Sequence, residues 1–199
     1  MTSTHRALAL SAGVLAVLAA ISGSPHRSAS GTLDVAAVAR AIEREDDHVT
    51  AVELAQWIRD RKPGLRVLDI RSDTAFAAFH IPSAERVPLA ALAAMRPVAG
   101  ETLVLYSEGG AHAAQGWVLL RSLGFSSVYF LRGGLLDWMD DVMSPALAEA
   151  TGNATSDSAR AQLAALSRYF GGVPRVGAVP LPAEHESAAS VARVRRRGC

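Results

Sequence analysis

The chain has 199 residues, half of them apolar, which suits one core of ordinary size with appendages. Twenty basic residues against nineteen acidic ones leave a formal charge of +1, so no overall field attracts nucleic acid, and no basic or aromatic cluster in the body suggests it. The single cysteine, Cys199, excludes any internal disulfide.

Residues 1–31 stand apart from the body. Met1 to Arg6 carry a little positive charge, and Ala7 to Pro25 carry none while Leu8, Leu10, Val14, Leu15, Val17, Leu18 and Ile21 dominate. That pattern is a translocation signal, either a cleaved signal peptide or an uncleaved membrane anchor followed by the polar spacer Ser22 to Gly31. In either form the body lies outside the cytoplasm, secreted or periplasmic, or tethered and facing outward if Arg6 marks the inner side.

In residues 32–47, Thr32 or Asp34 caps a short helix reaching about Arg44, with Val35, Val38 and Ile42 on one face, and Glu43 to Asp47 form a solvated turn. Thr50-Ala51-Val52-Glu53 has capping-box spacing and starts a helix through Leu54, Trp57 and Ile58 that stops before Pro63-Gly64. Next come a buried strand at Arg66–Ile70, a short helix at Ser72–Phe79, a strand at Arg86–Leu89 and a helix at Leu89–Met95. Thr102–Tyr106 and Ser127–Leu131 supply further strands, with a helix from His112 to Leu123 between them on Ala113, Trp117, Leu120 and Leu123. Strands alternating with helices at this spacing imply an α/β fold, a parallel sheet with right-handed crossovers and helices on both faces. Ligands bind such sheets beyond the carboxyl ends of their strands.

Residues 143–199 form an extension. Met143 to Thr155 read as a linker; Ser156 or Ser158 caps a helix carrying Leu163, Leu166 and Phe170 and ended by Gly171-Gly172 and Pro174; residues 173–190 read as extended or disordered. The helix stripe fits docking on the body better than a partner-binding element. Asn153-Ala154-Thr155 matches a glycosylation acceptor, a three-residue pattern that arises readily by chance. The tail Arg193-Val194-Arg195-Arg196-Arg197-Gly198-Cys199 reads as a solvated terminus, with anionic lipid headgroups or an acidic partner as the alternative. Its arginines favour the Cys199 thiolate by charge attraction.

The candidate site is Ser107-Glu108-Gly109-Gly110-Ala111-His112, a small turn between a strand and a helix start. Such a turn aims backbone N–H groups at one point, at the positive end of a helix dipole, and cradles an anion. Tyr106 to His112, Gly124-Phe125, and Gly133-Gly134 with the later Trp138 resemble the second half of a rhodanese-like (sulfurtransferase) domain. That family's pattern is a strand ending in a catalytic Cys, a six-residue loop, a helix, "G-F" before a strand, and "G-G" with a later Trp. Val67 to Arg71 resembles its "Asp-x-Arg" strand, and His80-Ile81-Pro82-Ser83-Ala84 its "G-H-I-P-G-A" turn. The resemblance covers about residues 48 to 140 and implies one rhodanese-like domain, residues 48–142, with a parallel five-stranded sheet.

At the position of the family's persulfide-forming Cys stands Ser107, whose hydroxyl cannot hold a transferable sulfur. Glu108 adds negative charge, His112 stands where many members have Arg, and Phe79 replaces the Gly before His80. No catalytic residue is assigned at the loop. Asp69 and Arg71 are expected to form a supporting ion pair beneath the loop, and His80 a structural hydrogen bond; no histidine spacing suggests a metal, and no cofactor is implied. The expectation is an exported domain, inactive in sulfur transfer at its own loop, that binds an anion in the loop or serves as a binding or regulatory module for a protein partner. One alternative is a sulfurtransferase in which the tail delivers Cys199 to the loop. Another is a Ser107/His112 hydrolase, or a phosphatase-like activity suggested by the kinship of rhodaneses with some dual-specificity phosphatases.

Overall fold

A computed structural model describes residues 34–177. The translocation signal at 1–31, Thr32, and the basic tail with Cys199 lie outside the described residues. Among the described residues no helix is long and apolar enough to cross a membrane.

Asp34 caps α1 (Val35–Glu43) by accepting from Ala37 N at 2.9 Å. The acidic turn after it is exposed through Asp46, but Asp47 is buried beside His48, which corrects the expectation of a solvated turn. The chain bends there into a two-residue strand, β1 (His48–Val49), too short to leave a periodic signal. Thr50 then caps α2 (Ala51–Arg59) through the full reciprocal box: Glu53 N donates to Thr50 Oγ1 at 3.2 Å, and Thr50 N donates to Glu53 Oε2 at 2.8 Å.

Next come β2 (Leu65–Asp69), α3 (Asp73–Ala78, capped by Ser72) and β3 (Ala84–Arg86). The third strand lies earlier than the expected Arg86–Leu89. Its pairing with β2 runs Val67↔Ala84 to Asp69↔Arg86, and Val87 N makes a last bond to Asp69 O before Pro88, which lacks a donor. Leu89–Ala94 is a 3₁₀ helix instead of an α-helix, with only Leu92 buried. Then follow β4 (Thr102–Tyr106), α4 (Ala111–Ser122) and β5 (Val128–Leu131). Helix α4 starts one residue earlier than the expected His112, at Ala111, because Gly110 at φ +87° is the N-cap. A short α5 (Gly134–Asp137) runs into a π-helical turn (Trp138–Met143), neither foreseen from sequence.

The sheet is five-stranded, parallel throughout, in the order β1-β5-β4-β2-β3. Both faces are covered. One core joins Val67, Val104 and Tyr106 of the sheet to Leu54 of α2 and to Trp138 and Val142 of the π-helical turn. The other joins Leu68, Leu103 and Leu105 to Ala113, Trp117 and Leu120 of α4. Leu103 to Tyr106 are all fully buried, as an unbroken apolar run in a central parallel strand requires.

The extension is folded onto this body. Ala146–Leu147 (β6) pairs in parallel with Arg175–Val176 (β7), so the expected linker and the expected loose segment each give up two residues to a small ladder. Between them lies α6 (Ala154–Tyr169). Its cap is Asn153 instead of Ser156 or Ser158: Asn153 Oδ1 accepts from Thr155 N at 3.0 Å and from Ser156 N at 3.4 Å. Leu166 enters the first core, and Phe170 meets Trp138 edge-to-face at 5.1 Å. This helix is therefore a docked element.

Candidate functional site

The carboxyl ends of β2 and β4 are neighbours whose onward connections leave in opposite directions, β2 toward β3 and β4 toward β5. A crevice opens at such a switch point. Arg71 comes just after one strand and Ser107 just after the other, so local chain order brings together residues 36 positions apart. A pocket of about 360 Å³ lies here, lined by Arg71, Ser72, Leu89, Ser107, Glu108 and His112 among others.

The loop is held from below. Leu135 N donates to Ser107 O at 2.9 Å and Leu136 N to Glu108 O at 3.1 Å, so the first turn of α5 occupies two of the loop's carbonyls. This approach needs a glycine: a Cβ on Gly134, which has φ +62°, would lie 2.4 Å from Ser107 O and 2.7 Å from Gly110 N. The "G-G" motif read from sequence thus serves the loop directly. Ser107 is itself buried, and its Oγ accepts from Gly110 N at 3.2 Å, bracing the turn. No side chain caps α4, so the N–H groups of its first turn remain available to an anion.

Beside the loop stands a charged cluster. Asp69 is fully buried; its carboxylate accepts from Arg71 Nη2 at 2.7 Å, from Arg71 Nε at 3.0 Å, and from the Arg71 backbone N at 2.9 Å. The same guanidinium donates through Nη2 to Phe79 O at 2.6 Å and through Nη1 to Glu108 Oε2 at 3.0 Å. Hydrogen bonding to Asp69 and, less strongly, to Glu108 pushes the Arg71 guanidinium up from its ordinary value, against the effect of burial. Arg71 also lies 5.5 Å from the centre of the Tyr106 ring.

Tyr106 is a site residue that sequence reading treated only as strand. Its hydroxyl accepts from Ile81 N at 3.1 Å and so ties the His80-Ile81-Pro82 turn to β4. Burial, then the Asp69 carboxylate, raises its phenol well above the ordinary range, so it stays protonated. The available signal was an aromatic residue closing an otherwise aliphatic strand. His80 bonds Phe76 O through Nδ1 at 3.0 Å and stacks on the Phe76 ring at 4.1 Å, outside the lining of the pocket.

His112 lines the pocket but is exposed, and the one hydrogen bond of Ser107 Oγ among the described residues is to Gly110 N. Among the described residues no three His, Cys, Asp or Glu side chains are grouped to hold a metal. A second cavity, about 580 Å³, lies at the β1 edge, lined by His48, Glu53, Trp57, Trp117 and Tyr129 among others. There His48 Nδ1 meets Asp47 Oδ1 at 2.8 Å, a pair that falls in the acidic stretch and so has no periodic signal in the sequence.

Residues 50–141 match the family model of the rhodanese-like domain. A probable adenylyltransferase/sulfurtransferase, MoeZ, from Mycobacterium tuberculosis is 28% identical over 94 residues, covering 45% of this chain and 24% of its own length. The chain therefore spans about a quarter of the curated relative it matches. The solution structure of the rhodanese-like domain of the Anabaena Alr3790 protein is 29% identical, with a TM-score of 0.42, covering 46% of this chain and 71% of that one. The human single-domain sulfurtransferase TSTD1 is 25% identical, with a TM-score of 0.42, covering 46% of this chain and 92% of that one.

Proposed function

We propose that residues 50–141, which match the rhodanese-like family model and resemble part of a probable sulfurtransferase, form such a domain, and that this protein binds a small anion in the Ser107–His112 loop and does not itself carry sulfur there. The observation that supports this reading is the head of the loop. Ser107 stands at the family's nucleophile position with its Oγ engaged by Gly110 N, while the first turn of α4 that follows has no side-chain cap. An oxygen in that place cannot form a persulfide, yet backbone donors at a helix start bind an anion whatever side chain precedes them.

The domain then acts as a binding or regulatory module toward a protein partner. Its place is outside the cytoplasm, delivered or tethered by residues 1–31, a reading supported by the apolar, uncharged run from Ala7 to Pro25. A Ser107/His112 hydrolase has weaker support, because the Ser107 hydroxyl is buried and spent on the loop, with no hydrogen bond to an imidazole among the described residues.

Thiosulfate:cyanide sulfur transfer by the full chain tests the proposal. The natural chain and Cys199→Ser are expected to show no turnover, and Ser107→Cys to gain measurable activity in the surviving cradle. Turnover in the natural chain that vanishes in Cys199→Ser would replace this reading with delivery of sulfur by the tail. Turnover that persists in Cys199→Ser would defeat both.

A further inference from the structure

We infer that Glu108 is a built-in competitor for the loop's ligand, a carboxylate that occupies the pocket-facing corner of Arg71 and contests it with any anion that enters. The inference rests on the anion-binding reading of the loop and concerns what limits it. Each guanidinium nitrogen of Arg71 has a partner. Nε and Nη2 are turned to buried Asp69 and to Phe79 O, while Nη1 alone reaches a residue at the pocket's mouth, Glu108 Oε2 at 3.0 Å. The two ends of that contact differ in freedom: the Arg71 side chain is 9% exposed, whereas that of Glu108 is 64% exposed. Arg71 is therefore fixed and Glu108 can swing into water.

Charge gives the same direction. Arg71 contributes one positive charge, and Asp69 with Glu108 contribute two negative ones, so the pocket is net acidic while the contact is made. An entering oxyanion meets repulsion from Glu108 and has to share Nη1 with it, since Glu108 already takes one of that nitrogen's two N–H groups. Once Glu108 turns outward, Asp69 and Arg71 cancel, and the anion meets the uncapped first turn of α4 together with a free guanidinium donor. The loop thus discriminates against anions too weak to exchange with a carboxylate.

Calorimetric titration of the full chain with sulfate and with thiosulfate at low ionic strength tests this, comparing the natural chain, Glu108→Gln and Glu85→Gln. Glu85 is paired with a different arginine, Arg66, and removes the same charge at a distance from the pocket. Glu108→Gln is expected to bind at least tenfold more tightly than the natural chain, and Glu85→Gln less than twofold more tightly. Equal affinity of the natural chain and Glu108→Gln would overturn the competitor role while leaving anion binding intact. An equal gain in both variants would reduce the effect to net charge and also overturn it. Absence of binding in Glu108→Gln would remove the anion-binding reading and the competitor role together.

Discussion

The two ends of β2 carry the same chemistry put to different uses. At the amino end Arg66 is held by two carboxylates, Glu85 at 2.8 Å and Glu101 at 2.7 Å. At the carboxyl end Arg71 is likewise held by two, Asp69 at 2.7 Å and Glu108 at 3.0 Å. The first triad clasps three neighbouring segments, since Glu85 belongs to β3 and Glu101 immediately precedes β4, and its arginine is 36% exposed. The second has one partner sealed in the core and the other at the mouth of a pocket. The difference lies in the cation and its surroundings: Arg71 is 9% exposed and lines a pocket, which makes its triad a candidate binding element, whereas Arg66 is 36% exposed and serves as a clasp between segments.

The largest effect that would sharpen this contrast is expected from Asp69→Ala, which leaves Arg71 without its buried counter-charge. Chemical denaturation should show a loss of about 3–5 kcal/mol, the cost typical of breaking a buried pair from one side. A loss below about 1 kcal/mol would mean that the two triads do not differ in kind. Gly134→Ala should follow, at about 2–3 kcal/mol, because a left-handed backbone and a clash with the Ser107 carbonyl act together; the same variant should weaken sulfate binding in titration. At the amino end, Arg66→Met removes the cation on Glu101 Oε1, although the Glu101 side chain is only 11% exposed and its Oε2 already lacks a hydrogen-bond partner among the described residues. Thermal melts should register about 1–2 kcal/mol.

The smallest effect belongs to Glu85→Gln, about 0.5 kcal/mol near neutral pH, as for other half-exposed pairs. Its pH dependence has a definite sign. Hydrogen bonding to Arg66 holds the Glu85 carboxyl below its ordinary value in the folded state. The stabilisation is therefore complete above the unfolded value of about 4.3 and disappears as pH falls through the folded value. Melts of the natural chain and of Glu85→Gln should differ at pH 7 and converge as the pH is lowered below 4. A gap that widens on acidification would show that the clasp does not work through ionised Glu85.

The sequence by itself determined the alternation of strand and helix, because Arg66 to Ile70 and Leu103 to Tyr106 are mainly apolar stretches of strand length, and because Thr50 with Glu53 carries its capping geometry in its spacing. It also located the loop, since Gly110, Gly133 and Gly134 mark backbone that must bend or approach closely. Only the tertiary structure decided what no local pattern encodes. Two-residue strands such as His48–Val49 and Ala146–Leu147 exist through their partners and have no period of their own. Asn153 prevailed over Ser156 and Ser158 as a cap because α6 extends back far enough to use it. The strand order set Arg71 beside Glu108, 37 positions away along the chain. Side chains that meet across a parallel sheet do so by topology, and topology is fixed when both faces of the sheet are buried together.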